Sequence, residues 1–207
     1  MNIRSVSHQH FFLYLICISI VAAFDTYNSI VRLKPGKTKQ NNKRSKQTKD
    51  EGTLTLIYLA KFVPNILAIL IYYFYQDTHY SSFLSSNISA ILGIFTFLAG
   101  LLIRQIAIIQ LGKFYTYKVS IDDDHEMINT GLYKYMRHPA YTGTFLELTG
   151  AALLYNHFIL SWFLSLPYLI VVLKRIKQEE KVLIERFGPK YQDYMKHAGM
   201  FLPQLSH

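Results

Sequence analysis

The sequence holds a single cysteine, Cys17, which excludes a disulfide scaffold within these 207 residues. Charge is scarce too. Only 17% of the residues are charged, against about a quarter in an average globular domain. That scarcity excludes a disordered or nucleic-acid-binding chain, since both need many exposed charges. No Gly-x-Gly-x-x-Gly occurs, so a Rossmann-type nucleotide fold has no motif behind it. No Cys/His metal spacing and no recognisable Ser–His–Asp pattern is present. What the sequence does hold is apolar: 51% of its residues are hydrophobic and 15% are aromatic, beside a net charge of +9.

The apolar residues fall in blocks, at 11–24, 54–75, 83–103 and 142–173. A helix crosses the hydrocarbon layer with roughly 20 apolar residues, so the second and third blocks qualify as spans. Two such runs in so short a chain leave no polar shell to cover them as a soluble core. The second contains one charge, Lys61, placed to extend its ammonium to the interface. Pro64 follows where it would kink the helix, which membrane helices tolerate. The first block is shorter, and Ala22-Ala23 resembles the small-residue end of a signal peptide. Yet Arg32, Lys34, Lys37, Lys39, Lys43, Arg44, Lys46 and Lys49 follow with no acid before Asp50. Short loops this basic stay cytoplasmic, so the first block reads as an uncleaved span to about Val31. As a loop, the basic stretch is solvated, with at most a weak attraction to anionic headgroups.

The remaining orientation follows. The second span exits outward, the third returns to the cytoplasm at Arg104, and residues from there to Tyr141 are cytoplasmic. In block 142–173 Asn156-His157 form a polar break suited to a tight turn. Each half of that hairpin reaches only about 21–24 Å as a helix. It just attains the far side or stops short of it, and Lys174, Arg175 and Lys177 return to the basic face. The expected fold is therefore all-α: a polytopic membrane protein of about five segments, ending in a short helical hairpin with a cytoplasm-facing cofactor pocket. Its regions are residues 1–53, an N-terminal membrane helix and basic loop; 54–103, two membrane helices; and 104–207, the helical hairpin with its flanking polar stretches.

Two polar clusters flank the hairpin. The first runs from Asp122-Asp123-Asp124-His125-Glu126 through Gly131-Leu132-Tyr133 to Arg137-His138-Pro139-Ala140-Tyr141. The second runs from Gln178-Glu179-Glu180 through Phe187-Gly188 to Tyr191 and Tyr194. Arg175, Glu179, Leu183 and Arg186 recur at helical spacing, and Gly188 is placed to end that helix in a left-handed cap. The hairpin sets both clusters side by side at one interface. The acidic run 122–124 has the oxygens of a hard-cation site, but its ordinary reading is a solvated turn, and no metal is expected. Arg175 and Glu179 alone would also make an ordinary i,i+4 salt bridge. Tyrosines, 16 in this chain, gather at membrane interfaces in any case. Glu147 is the anomaly inside the hairpin. It either pairs with Arg104, faces a substrate passage, or lies near enough to the interface to stay hydrated.

The run from Gly131 to Gly143, GLYKYMRHPAYTG, resembles the signature of the isoprenylcysteine carboxyl methyltransferase and phospholipid methyltransferase superfamily. Upstream, Arg104, Ala107, Leu111-Gly112 and Thr116 are similar to that family's lead-in. Downstream, Glu179-Glu180, Leu183, Phe187-Gly188, Tyr191 and Tyr194 resemble its second signature. The resemblance implies an all-helical membrane enzyme that uses S-adenosyl-L-methionine without a Rossmann domain. It implies that His125, Glu126, Met127, Ile128, Tyr133, His138, Pro139, Ala140, Tyr141 and Glu179 hold the cofactor. It implies that Arg175 orients the substrate, and it assigns no catalytic acid or base. Two departures stand out: Lys118 replaces a glutamine of some members, and Lys196-His197-Ala198-Gly199 replaces the usual Val-Pro.

The function so implied is methyl transfer to the C-terminal carboxylate of a prenylated cysteine in CaaX-processed proteins such as small GTPases. The prenyl chain would enter from membrane lipid, in the endoplasmic reticulum by resemblance to eukaryotic members, with no nucleic-acid partner. Alternatives within reach of the same sequence are a methyltransferase for a phospholipid amine or small thiol, and an NADPH-using sterol reductase. The latter usually carries an Arg-Asp pair and a cysteine that are absent here.

Overall fold

The computed structural model describes residues 3–4, 8–32, 52–74, 80–81, 85–115, 127–155 and 158–204. Among them are α1 (His8–Arg32), α2 (Thr53–Phe74), α3 (Ser86–Leu111), α4 (Pro139–Tyr155), α5 (Phe158–Phe187) and α6 (Pro189–His197). A two-residue antiparallel pair, β1 (Ile3–Arg4) with β2 (Tyr80–Ser81), is the only sheet described. Among the described residues three stretches are long and apolar enough to cross a membrane: His8–Ile30, Thr53–Phe74 and Asn87–Leu111. The expected helical hairpin is α4 and the apolar first half of α5, and its turn at Asn156-His157 lies outside the described residues. The fold is all-helical, as expected.

Large apolar side chains cover the outside of the bundle, and its otherwise apolar interior holds several charged and polar groups, as spanning proteins keep them from lipid. Phe12, Leu59, Ile66, Ile91, Phe95 and Ile109 point outward, whereas Asp25, Asn28, Lys61, Asn65, Arg104 and Glu147 are buried. The packing of α3 on α4 depends on glycine. A Cβ on Gly100 would sit 2.6 Å from the backbone of Glu147 and Gly143, and one on Gly150 would sit 2.4 Å from Phe97 N. Gly93 faces Gly150 and Gly100 faces Gly143, so the helices run antiparallel with their backbones in near contact. Small residues at such spacing are how membrane helices gain dispersion contact without a hydrophobic drive.

Two sequence expectations fail here. Lys61 does not extend to the interface: it is 5% exposed and paired with Asp25. Arg104 does not mark the return to the cytoplasm: α3 runs on to Leu111, and Arg104 is 3% exposed inside the bundle. Both misreadings share a cause. An isolated charge in an apolar run looks like a boundary, unless a counter-charge waits on another helix.

Glu147 is the resolved anomaly. Its Oε2 accepts from Arg104 Nη1 at 2.9 Å, and Arg104 Nη2 reaches Asp25, which also holds Lys61 Nζ. One network thus ties α1, α2, α3 and α4 at a single level. At the opposite end of these helices, Phe11 stacks on Tyr72 and both Phe11 and Tyr14 meet the Tyr155 ring edge-on.

Candidate active site

The two polar clusters meet where α4 begins and α5 turns polar. Gly131 opens a short 3₁₀ turn at φ 60°, and a Cβ there would strike the Gln110 side chain at 2.1 Å. Only glycine fits. Gln110 Oε1 then accepts from Leu132 N at 3.0 Å, anchoring the turn to α3. The turn presents Tyr133, and Pro139 at the start of α4 places His138 just ahead of the helix. On the other side α5 closes at Gly188, whose φ of 56° is positive as expected but whose ψ of −133° lies outside the left-handed α conformation of the expected cap.

Glu179 and Glu180 receive the loop. Tyr141 donates its hydroxyl to Glu179 Oε1 at 2.5 Å, and Arg175 Nε donates to the same oxygen at 2.8 Å. His138 Nε2 lies 3.1 Å from Glu180 Oε1, while its Nδ1 lies 3.8 Å from Glu179 Oε2. A carboxylate only accepts, so Nε2 carries the hydrogen toward Glu180. Arg137 Nε donates to Glu180 Oε1 at 2.7 Å, and its Nη1 reaches Met195 O at 3.2 Å and Ala198 O. Backbone bonds complete this clip: Arg137 N to Gly199 O at 2.7 Å, and Gly199 N to Tyr135 O at 3.0 Å. The residues that replace the usual Val-Pro therefore hold the His138 loop in place.

Electrostatics follow from these contacts. Burial alone would raise the Glu180 carboxyl, but hydrogen bonds and charge from His138 and Arg137 hold it below its usual 4.5. Burial pushes Tyr194 up to about 12, and pushes Tyr133 and Tyr191 further in the same direction. These phenols stay protonated at neutral pH and serve as donors or ring faces, never as bases.

A cavity of about 220 Å³ lies between the clusters. Of the expected residues, Met127, Ile128, Tyr133, His138, Ala140, Tyr141, Arg175 and Glu179 line it. Pro139 does not; it is buried behind them as the first residue of α4. His125 and Glu126 lie outside the described residues, as do Lys118, Thr116 and the acidic run 122–124. Arg175 is 1% exposed and makes the i,i+4 bridge to Glu179 while facing the cavity, so the two readings of that pair coexist. Sequence reasoning missed the far wall, where Asp25, Lys61, Arg104, Thr144 and Tyr168 line the same space. The signal was present in Asp25, Lys61 and Glu147 as charges inside apolar runs.

Residues 91–185 match the model of the isoprenylcysteine carboxyl methyltransferase family. That stretch, just under half of the chain, is similar to this family. Among curated relatives, the protein-S-isoprenylcysteine O-methyltransferase of Saccharomyces cerevisiae is 33% identical over 60% of this chain and 53% of its own length. That of Schizosaccharomyces pombe is 31% identical over 51% of this chain and 46% of its own. The chain thus spans about half the length of these relatives. A solved eukaryotic intramembrane Ras methyltransferase, an isoprenylcysteine carboxyl methyltransferase, superposes with TM-score 0.66. That match covers 94% of this chain and 66% of the other at 20% identity, a likeness of fold. The isoprenylcysteine carboxyl methyltransferase match spans α4, nearly all of α5 and most of α3, and it leaves out α1 and α2.

Proposed function

We propose that this protein transfers a methyl group from S-adenosyl-L-methionine to the C-terminal carboxylate of a prenylated cysteine. One observation carries the reading: Arg175 and Glu179, one turn apart and sharing Glu179 Oε1, face a single cavity with His138 and Tyr141. The residue set fits the donor chemically. Glu179 offers acceptor oxygens for ribose hydroxyls or an ammonium, and the rings of Tyr133, Tyr141, Tyr191 and Tyr194 surround space suited to a cation. In this reading Met127, Ile128, Tyr133, His138, Ala140, Tyr141 and Glu179 contact the donor, with Pro139 fixing the loop. His125 and Glu126 extend the same set.

When bound, the donor supplies an electrophilic methyl group on a sulfonium. The acceptor carboxylate is already ionised at neutral pH, so the protein needs no general base. Its task is alignment, worth up to roughly 7–11 kcal/mol of the barrier. A dry site adds to this, because carboxylate and sulfonium then meet without hydration. Arg175 presents a planar fork suited to a carboxylate, which a lysine cannot copy. Lys61, Arg104, Arg137 and Arg175 line the cavity, each paired with a carboxylate of Asp25, Glu147, Glu180 or Glu179, so the preference for an anionic acceptor rests on the Arg175 fork.

The names of the curated relatives support the acceptor class. We place the cavity on the cytoplasmic side of the endoplasmic reticulum membrane. It adjoins the start of α2, where the basic stretch 32–49 enters, and short basic loops stay cytoplasmic. Proteins processed at a CaaX terminus, small GTPases among them, are the expected partners, and the prenyl chain arrives through membrane lipid. The test is labelled methyl transfer. Membranes containing the protein, given labelled S-adenosyl-L-methionine and a farnesylated cysteine analogue, should yield labelled ester. No label, with an active methyltransferase positive in parallel, overturns the reading.

A further inference from the structure

Two of the arginines that face the cavity are held from outside the family-matched segment. Arg104 Nη2 reaches Asp25 of α1, and the other Asp25 oxygen takes Lys61 Nζ of α2. Arg175 Nη1 donates to Thr53 Oγ1, at the first position of α2, at 2.9 Å. Thr53 is 5% exposed, Lys61 5% and Asp25 8%, so none of these contacts is a solvent-facing accident. None of the three residues falls within 91–185.

Stability alone is a poor reason for this arrangement. A buried ion pair in a protein interior is often matched by well-packed apolar residues, and a charge within the bilayer is costly. Its location supplies a better one. A guanidinium on a long flexible stem has many rotamers, and a second partner on another element removes that freedom before a ligand arrives. Each arginine here has an acid from the family-matched half, Glu147 or Glu179, and a second partner from α1 or α2. Neither half orients the pair alone.

We propose that Asp25, with Lys61, and Thr53 are positioning residues: the two N-terminal helices set the orientation of Arg104 and Arg175 on the cavity wall for the acceptor. This rests on the methyltransferase reading, and the experiment separates the two. The full chain is purified in detergent, and kcat and KM for a farnesylated cysteine analogue are measured alongside calorimetric affinity for S-adenosyl-L-methionine. Thr53→Val and Asp25→Asn should lower kcat/KM for the acceptor by roughly ten- to a hundredfold, the scale of an ångström-level misplacement. Donor affinity should stay at the wild-type value, which a merely structural defect would not allow. Thr53→Ser should restore most of the rate, since it keeps the hydroxyl.

Wild-type kcat/KM in Thr53→Val overturns the proposal, as does an equal loss in Thr53→Val and Thr53→Ser. Should Asp25→Asn lose donor binding with its fold, the Thr53 pair decides. A wild-type protein that binds donor but transfers no methyl group defeats the proposed activity first and this role with it. Active, unaffected variants defeat this role alone.

Discussion

At one end of the bundle Phe11, Tyr14, Tyr72 and Tyr155 pack ring against ring; at the other Asp25, Lys61, Arg104 and Glu147 share charge. The same four helices pass through both. At the aromatic end each polar tip has a near neighbour: Tyr14 OH donates to Asn65 Oδ1 at 2.6 Å and Tyr155 OH to Ala68 O at 2.8 Å. Tyr72 OH lies 2.5 Å from His8 Nδ1. Ring packing with satisfied hydroxyls stabilises a fold and asks nothing further. The charged end is different, since Glu147 Oε1 is buried without a hydrogen-bond partner among the described residues and three of the four charges line the cavity. The contrast teaches that the helices are fastened at the aromatic end and equipped at the other.

The strongest way to break that contrast is at Arg104. Arg104→Met leaves Glu147 buried without its cation, and should lower stability by about 3–5 kcal/mol, read by thermal unfolding in detergent. Adding Glu147→Leu should recover most of that stability while methyl transfer stays lost. Recovery of both would mean the charged end is only a fastener. Next is Gly143→Ala, whose Cβ would lie 2.7 Å from Arg104 N and Gly100 O. Forcing α3 from α4 should cost about 1–3 kcal/mol by the same assay.

Tyr14→Phe sharpens the comparison from the other side. It removes one buried hydrogen bond, should cost about 1 kcal/mol, and should leave donor affinity unchanged by calorimetry. The smallest effect concerns acid. The Glu180 carboxyl is held below 4.5 in the folded protein, so its pairing adds stability above its unfolded value. That contribution fades as pH falls through the lower folded value. The unfolding midpoint should therefore sag only in acid, and Glu180→Gln should flatten that part of the profile.

Much of the fold was legible. Apolar blocks gave α1, α2 and α3, and a polar break gave the hairpin of α4 and α5, because burial in lipid writes itself as long unbroken runs. The two clusters were legible as motifs, and eight of the residues the family resemblance implied line one cavity: Met127, Ile128, Tyr133, His138, Ala140, Tyr141, Arg175 and Glu179. Lys61 and Arg104 were misread because a counter-charge on a different helix leaves no mark at a fixed spacing. The matched two-turn spacing of Gly93 with Gly100 and Gly143 with Gly150 was in the sequence and announces the α3–α4 contact. The role of Arg137 was hidden, since its partners at Met195 and Ala198 are joined to it only by the folding of the tail.

The central claim is that the His138 loop and the Glu179 helix close around one methyl donor. Calorimetric titration of S-adenosyl-L-methionine into the wild-type protein and Glu179→Gln tests it most directly. The account expects saturable binding by the wild type and a loss of about tenfold or more in Glu179→Gln, the cost of a charged hydrogen-bond partner. No binding by a folded wild type, or equal binding by both proteins, would contradict it.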